Sequence, residues 1–164
     1  MKVKRKTIVG VMGPGDDATQ SDMKTAYTLG KLIAENGWVL LNGGRNKGVM
    51  DAVSKGAKSA GGLTIGILPS DTGEIASEGV DVAILTGMGD ARNTVNILTS
   101  DVVVVCGMNP GTASEVALAI KFNKPIILLQ NDTITHTFFD KLSKGAVHTA
   151  NSVADAIALI KSII

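Results

Sequence analysis

The chain has 164 residues, enough for a complete hydrophobic core, so we predict a single domain spanning residues 1–164. Its formal net charge of +1 gives no electrostatic reason to expect nucleic acid or an anionic membrane as the main partner. Apolar residues make up 45% of the chain and aromatic residues only 3%, so the core is predicted to consist mainly of Val, Ile, Leu and Ala.

The sequence carries no recognisable targeting or metal-binding signal. No apolar run reaches the ~18 residues of a membrane-spanning helix, and Thr7–Met12 is too short for the apolar part of a signal peptide. We therefore expect a cytoplasmic protein. One cysteine cannot form an internal disulfide, and with two scattered histidines it cannot build a structural zinc site. The basic residues within positions 1–6 are interpreted as a solvated N-terminal arm.

The first part of the chain alternates short apolar runs with amphipathic segments. Thr7–Met12 is predicted to be the first strand, and it ends at the turn Gly13-Pro14-Gly15. A helix follows and stops at Gly37. Trp38–Asn42 is the second predicted strand, and it leads through the turn Gly43-Gly44-Arg45 into a second helix.

The middle of the chain repeats this arrangement with one irregular insertion. Leu63–Leu68 is predicted to be the third strand. The polar segment 69–81 is too irregular for regular structure, so we interpret it as a candidate flap over the site. Val82–Leu85 is the fourth predicted strand, and Asp90 is the predicted N-cap of the helix after it.

A buried strand and a glycine-rich turn dominate the last part. Val102–Cys106 is an unbroken apolar run too short for a helix, which is typical of a strand covered on both faces. After the turn, Thr112 is the predicted N-cap of a helix, with Glu115 completing a capping box. Further strands are predicted at 125–129 and 146–148, each followed by a helix.

This alternation predicts an α/β fold, with a mainly parallel sheet of six or seven strands and helices on both faces. In such folds, ligands bind beyond the carboxyl ends of the strands, where the strand order reverses. The glycine-rich turns after strands one, two, four and five are therefore predicted to share one rim. Free N–H groups and helix N-termini at these turns favour a phosphate or another oxyanion.

Three charged residues lie at these turns. Arg92 falls in the first turn of its helix, where the helix dipole disfavours a cation, so contact with an anion is favoured over a solvated arginine. Arg45 lies between two rim turns and is interpreted as a second anion contact. The Thr112-x-x-Glu115 capping box by itself explains why a glutamate occurs at position 115, so residue spacing alone gives Glu115 a structural role.

Several motifs occur in a fixed order and together cover nearly the whole chain. They are Gly43-Gly44-Arg45-x-x-Gly48-Val49-Met50, Gly89-x-x-Arg92-Asn93 and Gly107-x-x-x-Gly111-Thr112-x-x-Glu115. The set resembles the superfamily of the lysine-decarboxylase-like, Lonely Guy type cytokinin nucleotide phosphoribohydrolases. Three segments resemble the molybdenum cofactor carrier proteins more closely, namely Gly-Val-Met-Gly-Pro-Gly at 10–15, Gly-Met-x-Pro-Gly-Thr at 107–112 and Glu-Val-Ala-Leu-Ala at 115–119.

The second resemblance implies a Rossmann-like doubly wound fold and a homo-oligomer, either a tetramer or a dimer. It also implies a non-catalytic carrier that binds, protects and hands over the molybdenum cofactor, a small anionic ligand, to molybdoenzyme apoproteins. No metal site of the protein itself is expected. With the turns, the resemblance places cofactor binding at Gly13, Pro14, Gly15, Gly43, Gly44, Arg45, Gly87, Met88, Arg92, Asn93, Gly107, Met108, Asn109, Pro110, Gly111, Thr112 and Glu115.

We expect the two ends of this ligand to be bound differently. The backbone amides of 107–112 and the Thr112 hydroxyl would bind one anionic end. Arg45 or Arg92 would neutralise the other end.

The first resemblance leaves a catalytic alternative. In the phosphoribohydrolases an Arg and a Glu carry the cleavage, and Arg92 and Glu115 occupy those positions. The family's Arg-Lys pair is Arg92-Asn93 here, and its Pro-Gly-Gly is Gly107-Met108-Asn109, so larger side chains stand where a nucleotide needs close backbone approach. These departures favour a bulkier ligand that is bound without being cleaved. A third possibility is a sensing module for nucleotides or phosphometabolites without catalysis.

Overall fold

A computed structural model describes residues 5–130 and 132–164, and the lysines at positions 2 and 4 of the predicted basic arm lie outside this part of the chain. Strands and helices alternate. The strands are β1 Ile8–Met12, β2 Val39–Asn42, β3 Thr64–Leu68, β4 Val82–Leu85, β5 Val102–Cys106, β6 Ile126–Leu129 and β7 Val147–Ala150. The helices are α1 Gln20–Glu35, α2 Gly48–Ser59, α3 Asn93–Thr99, α4 Pro110–Lys121, α5 Thr133–Ser143 and α6 Val153–Ile163, and a 3-10 turn, Gly89–Arg92, precedes α3.

The strands form one seven-stranded sheet in the order β4-β3-β2-β1-β5-β6-β7, and every neighbouring pair is parallel. Because β2 lies on one side of β1 and β5 lies on the other, the strand order reverses between β1 and β5. The predicted α/β, Rossmann-like doubly wound fold is therefore confirmed, with seven strands.

Two helix layers cover the sheet. Along β1, Val9 and Val11 point to the layer formed by α1, α2 and α6, whereas Met12 points to the layer formed by α3, α4 and α5. This alternation follows from the two-residue period of a strand, and the continuous apolar runs of the central strands follow from burial on both faces. No helix in residues 5–130 and 132–164 is both long and apolar enough to span a membrane.

Helices α1 and α2 approach each other backbone to backbone. A Cβ atom at Gly30 would lie 2.0 Å from the Val53 carbonyl oxygen, and one at Gly56 would lie 2.0 Å from the Tyr27 carbonyl oxygen. Only glycine allows this separation. The start of α2 is in turn tied to the turn after β1, because the Val49 N–H donates to the Pro14 carbonyl at 3.0 Å.

The segment 69–81 contains no helix or strand, as predicted, but it lies against the start of α2. Ala76 forms an antiparallel bridge with Arg45, and the Ser77 hydroxyl donates to Asp51 Oδ1 at 2.7 Å. The segment contributes no residue to the cavity described below.

Candidate functional site

A cavity of about 110 Å³ opens at the carboxyl ends of β1, β2 and β5, next to the reversal of strand order. The turns after β1, β2 and β5, the 3-10 turn after β4 and the first turns of α2 and α4 contribute to its wall. The lining residues are Val11, Met12, Gly13, Gly15, Gly43, Arg45, Met50, Asp90, Arg92, Asn93, Asn109, Gly111, Thr112 and Glu115.

Arg92 is the buried cation of this cavity. Arg92 is the last residue of the 3-10 turn and is only 7% exposed. Its Nη1 donates a hydrogen bond to Asn93 Oδ1. Nε is buried without a hydrogen-bond partner in the described part of the chain. Burial lowers the pKa of Arg92, whereas Glu115 raises it, and a guanidinium remains charged in either case. Arg92 is therefore a desolvated positive charge with a free donor, suited to an anion.

Small residues make room for this guanidinium. A Cβ atom at Gly43 would lie 2.7 Å from Arg92 Nη2 and 2.7 Å from Met50 Sδ. Gly43 is not among the residues with positive φ. The close approach of Arg92 and Met50, and not the backbone conformation, therefore accounts for the glycine.

The helix after β5 begins earlier than predicted. Asn109, not Thr112, is the N-cap of α4, and its Oδ1 accepts the Thr112 N–H at 2.9 Å. Pro110 occupies the first helical position, where its fixed φ and missing N–H favour helix initiation. The predicted Thr112-x-x-Glu115 capping box is therefore wrong, and Glu115 lies on the helix wall facing the cavity.

Glu115 is a buried carboxyl group with an unusual proton affinity. Glu115 is 7% exposed, and its Oε1 accepts a hydrogen bond from Asn96 Nδ2 at 3.1 Å. Burial raises the pKa of Glu115 to about 7, although the Asn96 hydrogen bond and the charge of Arg92 both act to lower it. Near neutral pH the carboxyl group is therefore often protonated, which reduces the negative charge beside Arg92.

One backbone amide of the expected cradle, the Thr112 N–H, is occupied. The Thr112 N–H binds Asn109 Oδ1, and the Ala113 N–H binds the Asn109 carbonyl at 2.8 Å. In the described part of the chain, the Gly111 N–H and the buried Thr112 Oγ1 have no hydrogen-bond partner. Side-chain groups, Arg92 Nε and Thr112 Oγ1, add free polar atoms to this turn.

Arg45 lies at a more open position. Its side chain is 32% exposed, and Nη2 is 3.9 Å from Asp16 Oδ2. Lys47 Nζ also contacts Asp16, at 2.5 Å from Oδ1, and its hydrogen bond is the main reason why the pKa of Asp16 is lowered. A carboxylate of the chain itself thus partly neutralises the second arginine.

The cavity includes ten of the predicted binding residues: Gly13, Gly15, Gly43, Arg45, Arg92, Asn93, Asn109, Gly111, Thr112 and Glu115. Pro14, Gly44, Gly87, Met88, Gly107, Met108 and Pro110 do not line it. A Cβ atom at Gly107 would lie 2.9 Å from the carboxyl carbon of Asp22, so this glycine faces α1. Met88 is 49% exposed on the surface after β4.

Four lining residues are absent from the predicted set: Val11, Met12, Met50 and Asp90. Val11 and Met12 are the last residues of β1, and their location beside the predicted turn is the signal that could have identified them. Asp90 was predicted as the N-cap of α3, but it lies inside the 3-10 turn, which continues directly into α3. That prediction is wrong because the turn extends the helix backwards by four residues.

A sequence profile described as the SLOG cluster4 family matches residues 6–157. The chain belongs to this family. The molybdenum cofactor binding protein of the phototrophic bacterium Rippkaea orientalis is 57% identical in sequence, with a TM-score of 0.97, covering 98% of this chain and 99% of that one. The molybdenum cofactor carrier protein of Chlamydomonas reinhardtii is 52% identical with a TM-score of 0.92, covering 97% and 98%. The resemblance to molybdenum cofactor carrier proteins is confirmed.

The similarity to phosphoribohydrolases is more limited. The cytokinin riboside 5'-monophosphate phosphoribohydrolase of Mycobacterium tuberculosis is 32% identical over 95 residues, which is 57% of this chain and 51% of that protein. The chain thus matches about half of this enzyme.

Proposed function

We propose that this protein is a non-catalytic carrier that binds the molybdenum cofactor, protects it and hands it over. The ligand is a pterin dithiolene with a terminal phosphate and a molybdenum-oxo group, so both its ends are anionic. The buried Arg92 guanidinium, whose Nε is free, is the observation that carries the proposal. The carrier and binding proteins with which this chain shares more than half of its residues over nearly the full length support it.

The cavity fits one end of this ligand. Its volume of about 110 Å³ is well below the roughly 300–1,000 Å³ of pockets that enclose drug-sized ligands. An oxyanion group fits such a volume, whereas the whole pterin does not. Arg92, Thr112 Oγ1 and the Gly111 N–H are the groups that would bind the anionic end inside the cavity, and the ring system would extend towards Arg45 at the opening.

Shielding follows from the same arrangement. An anionic end bound to buried donors is removed from water, which favours protection of the ligand. Gly87 and Met88, on the surface after β4, belong to the proposal as contacts for the exposed part of the ligand. We further propose recipient apo-molybdoenzymes, a homo-oligomer and a cytoplasmic location.

Transfer of cofactor tests this function. Purified protein is mixed with cofactor released from a molybdoenzyme, freed of unbound ligand, and added to a cofactor-free nitrate reductase. We expect the protein to retain and protect cofactor that restores enzyme activity. Because a charged hydrogen bond is lost, Arg92→Gln should lower the restored activity by about tenfold. Arg5→Gln is the matched control, since Arg5 lies at the amino-terminal end of β1, beside Asp101. No retained cofactor in the wild-type protein would refute the carrier function.

A second candidate function is hydrolysis of the N-glycosidic bond of a nucleoside 5'-monophosphate. The specific observation in its favour is the pKa of Glu115, which at about 7 suits a general acid or base. Arg92 would bind the phosphate. Incubation with AMP or a cytokinin nucleotide tests it: free base that is released by the wild type but not by Glu115→Ala would establish the activity, and no release by the wild type would exclude it for these substrates.

A further inference from the structure

The segment between β3 and β4 joins the two turns that carry the arginines of the cavity. We call residues 69–81 the clamp. Near its start, the Pro69 carbonyl accepts the Gly89 N–H at 2.9 Å, and Gly89 is the first residue of the 3-10 turn that ends at Arg92. Further along, the clamp forms an antiparallel bridge with Arg45. One stretch of chain therefore contacts the backbone of both arginine turns.

The contact with the Arg45 turn consists of backbone hydrogen bonds on both sides of the arginine. The Asn46 N–H donates to the Ile75 carbonyl at 2.8 Å, and the Ser77 N–H donates to the Gly44 carbonyl at 2.9 Å. The clamp itself contributes no residue to the cavity, whereas Arg45 lines it. The clamp thus holds the backbone of Arg45 without occupying the site.

Ser77 joins the clamp to α2. It is only 3% exposed, and its hydroxyl donates to Asp51 Oδ1 at 2.7 Å and accepts the Gly79 N–H at 3.1 Å. A Cβ atom at Gly79 would lie 2.4 Å from the carbonyl carbon of Ser54, so this part of the clamp lies directly on the helix backbone. The buried hydroxyl of Ser77 therefore fixes the clamp beside the turn that carries Arg45.

Two like charges lie in the wall of the one cavity. Arg45 and Arg92 both line it. Burial is the main reason why the pKa of Arg92 is lowered, and the charge of Arg45 acts in the same direction. Repulsion between the two guanidinium groups favours a greater separation unless the backbone that carries them is held. A ligand with two anionic groups gains from both arginines only if their separation matches its own.

We propose that the clamp sets the separation of Arg45 and Arg92, and that Ser77 is a positioning residue for ligands that bridge the two arginines. This role rests on the proposed carrier function and narrows its ligands to molecules with two anionic groups. An ion with one anionic group would contact the buried Arg92 and would be insensitive to the position of Arg45. Loss of the Ser77 hydroxyl should therefore weaken the binding of a bridging ligand selectively.

Calorimetry with inorganic phosphate and with pyrophosphate tests the role of the clamp. Pyrophosphate has two phosphate groups, whereas inorganic phosphate has one. Ser77→Ala should lower the affinity for pyrophosphate by about fivefold and the affinity for phosphate by less than about twofold. In an Arg45→Gln background, Ser77→Ala should leave the ratio of the two affinities unchanged. Because Ser77→Ala changes no charge, a selective loss cannot come from a change in net charge.

Ser59→Ala is the matched control. Ser59 is the last residue of α2, and its hydroxyl donates to the Gly56 carbonyl at 2.7 Å. Both affinities of this variant should equal those of the wild type.

Asp51→Asn serves as a second variant if Ser77→Ala does not fold. An amide offers one acceptor oxygen in place of the two that bind Ser77 and Lys55. Removal of a negative charge would by itself raise both affinities, so a selective loss of pyrophosphate binding in Asp51→Asn would also support the clamp.

Three results would overturn the proposal. They are an unchanged ratio of the two affinities in a folded Ser77→Ala, a selective loss that persists in the Arg45→Gln background, and an equal selective loss in Ser59→Ala. Neither anion depends on the cofactor, so the carrier function is tested separately. A selective loss in Ser77→Ala, together with a wild type that restores no nitrate reductase activity, would support the clamp and refute the carrier function.

Discussion

Asn96 and Glu115 connect α3 to α4 beside the cavity, with Asn96 Nδ2 donating to Glu115 Oε1 at 3.1 Å. The other side-chain atom of this amide, Oδ1, is buried without a partner in the described residues. A protonated Glu115 has a hydrogen to donate, whereas an ionised one does not. The protonation state of Glu115 therefore affects the hydrogen bond that joins α4 to α3, the helix that follows Arg92.

The stability of the ligand-free protein should depend on Glu115 near neutral pH. Its folded pKa of about 7 exceeds the ordinary value of 4.5, so the folded protein binds the proton more tightly than the unfolded chain. Stability is then greatest below pH 4.5 for this group and falls as the pH rises through 7, by on the order of 3 kcal/mol. Urea unfolding at several pH values should give a clearly flatter curve for Glu115→Gln; parallel curves would contradict the raised pKa.

Gly43→Ala should damage the site more than the fold. The added Cβ would displace Arg92 Nη2 and Met50 Sδ, the ends of two flexible side chains, and would not meet backbone. We expect cofactor retention to fall by about tenfold while the midpoint of thermal unfolding changes by only a few degrees. Retention equal to wild type would mean that the position of Arg92 is unimportant for binding.

Asp16→Asn should strengthen anion binding. The carboxylate of Asp16 contacts both Arg45 and Lys47, and it competes with a ligand for them. Exposed ion pairs are weak, so the affinity for inorganic phosphate or molybdate should rise by a factor of only about two to five, as measured by calorimetry. Asp17→Asn removes the same charge from an exposed residue next to it, which forms no ion pair in the described part of the chain. An equal gain in affinity for both variants would mean that the effect comes from the change in net charge and not from the contacts of Asp16.

Gly30→Ala should destabilise the whole protein. The new Cβ would lie 2.0 Å from the Val53 carbonyl oxygen, so α1 and α2 must separate, at a cost of about 1–3 kcal/mol. Gly73→Ala is a suitable control, because no atom lies within 4 Å of the added Cβ and φ is not in the left-handed region. Denaturant unfolding gives the free energy of unfolding of both variants. The two values should be equal if α1 and α2 pack loosely.

The fold was predictable because its signals are local. Apolar runs such as Val102–Cys106 identify buried strands, and the glycines after them identify the turns. The alternation of the two then implies a parallel sheet with its turns at one edge. The capping of α4 could not be decided in this way: Asn109 and Thr112 are both good N-caps, and the competition is settled by Pro110 at the first helical position.

The site was predictable only in part, because its decisive contacts join distant segments. The turns were anticipated, as was the location of Arg92 beside them. The hydrogen bond from Asn96 to Glu115 and the proximity of Asp22 to Gly107 depend on how α3 and α1 pack, which no local pattern encodes. Residue spacing alone assigned Glu115 to a cap, the family resemblance added it to the binding residues, and the structure places it in the wall of the cavity.

All residues that line the cavity lie between Val11 and Glu115, whereas β6, β7 and the two helices beside them contribute none. During translation, every residue that lines the cavity has therefore been made before the last quarter of the chain. Until β6 has been synthesised, however, β5 has no neighbouring strand on its outer side. The nascent chain would therefore contain every lining residue while the sheet beside β5 is still incomplete.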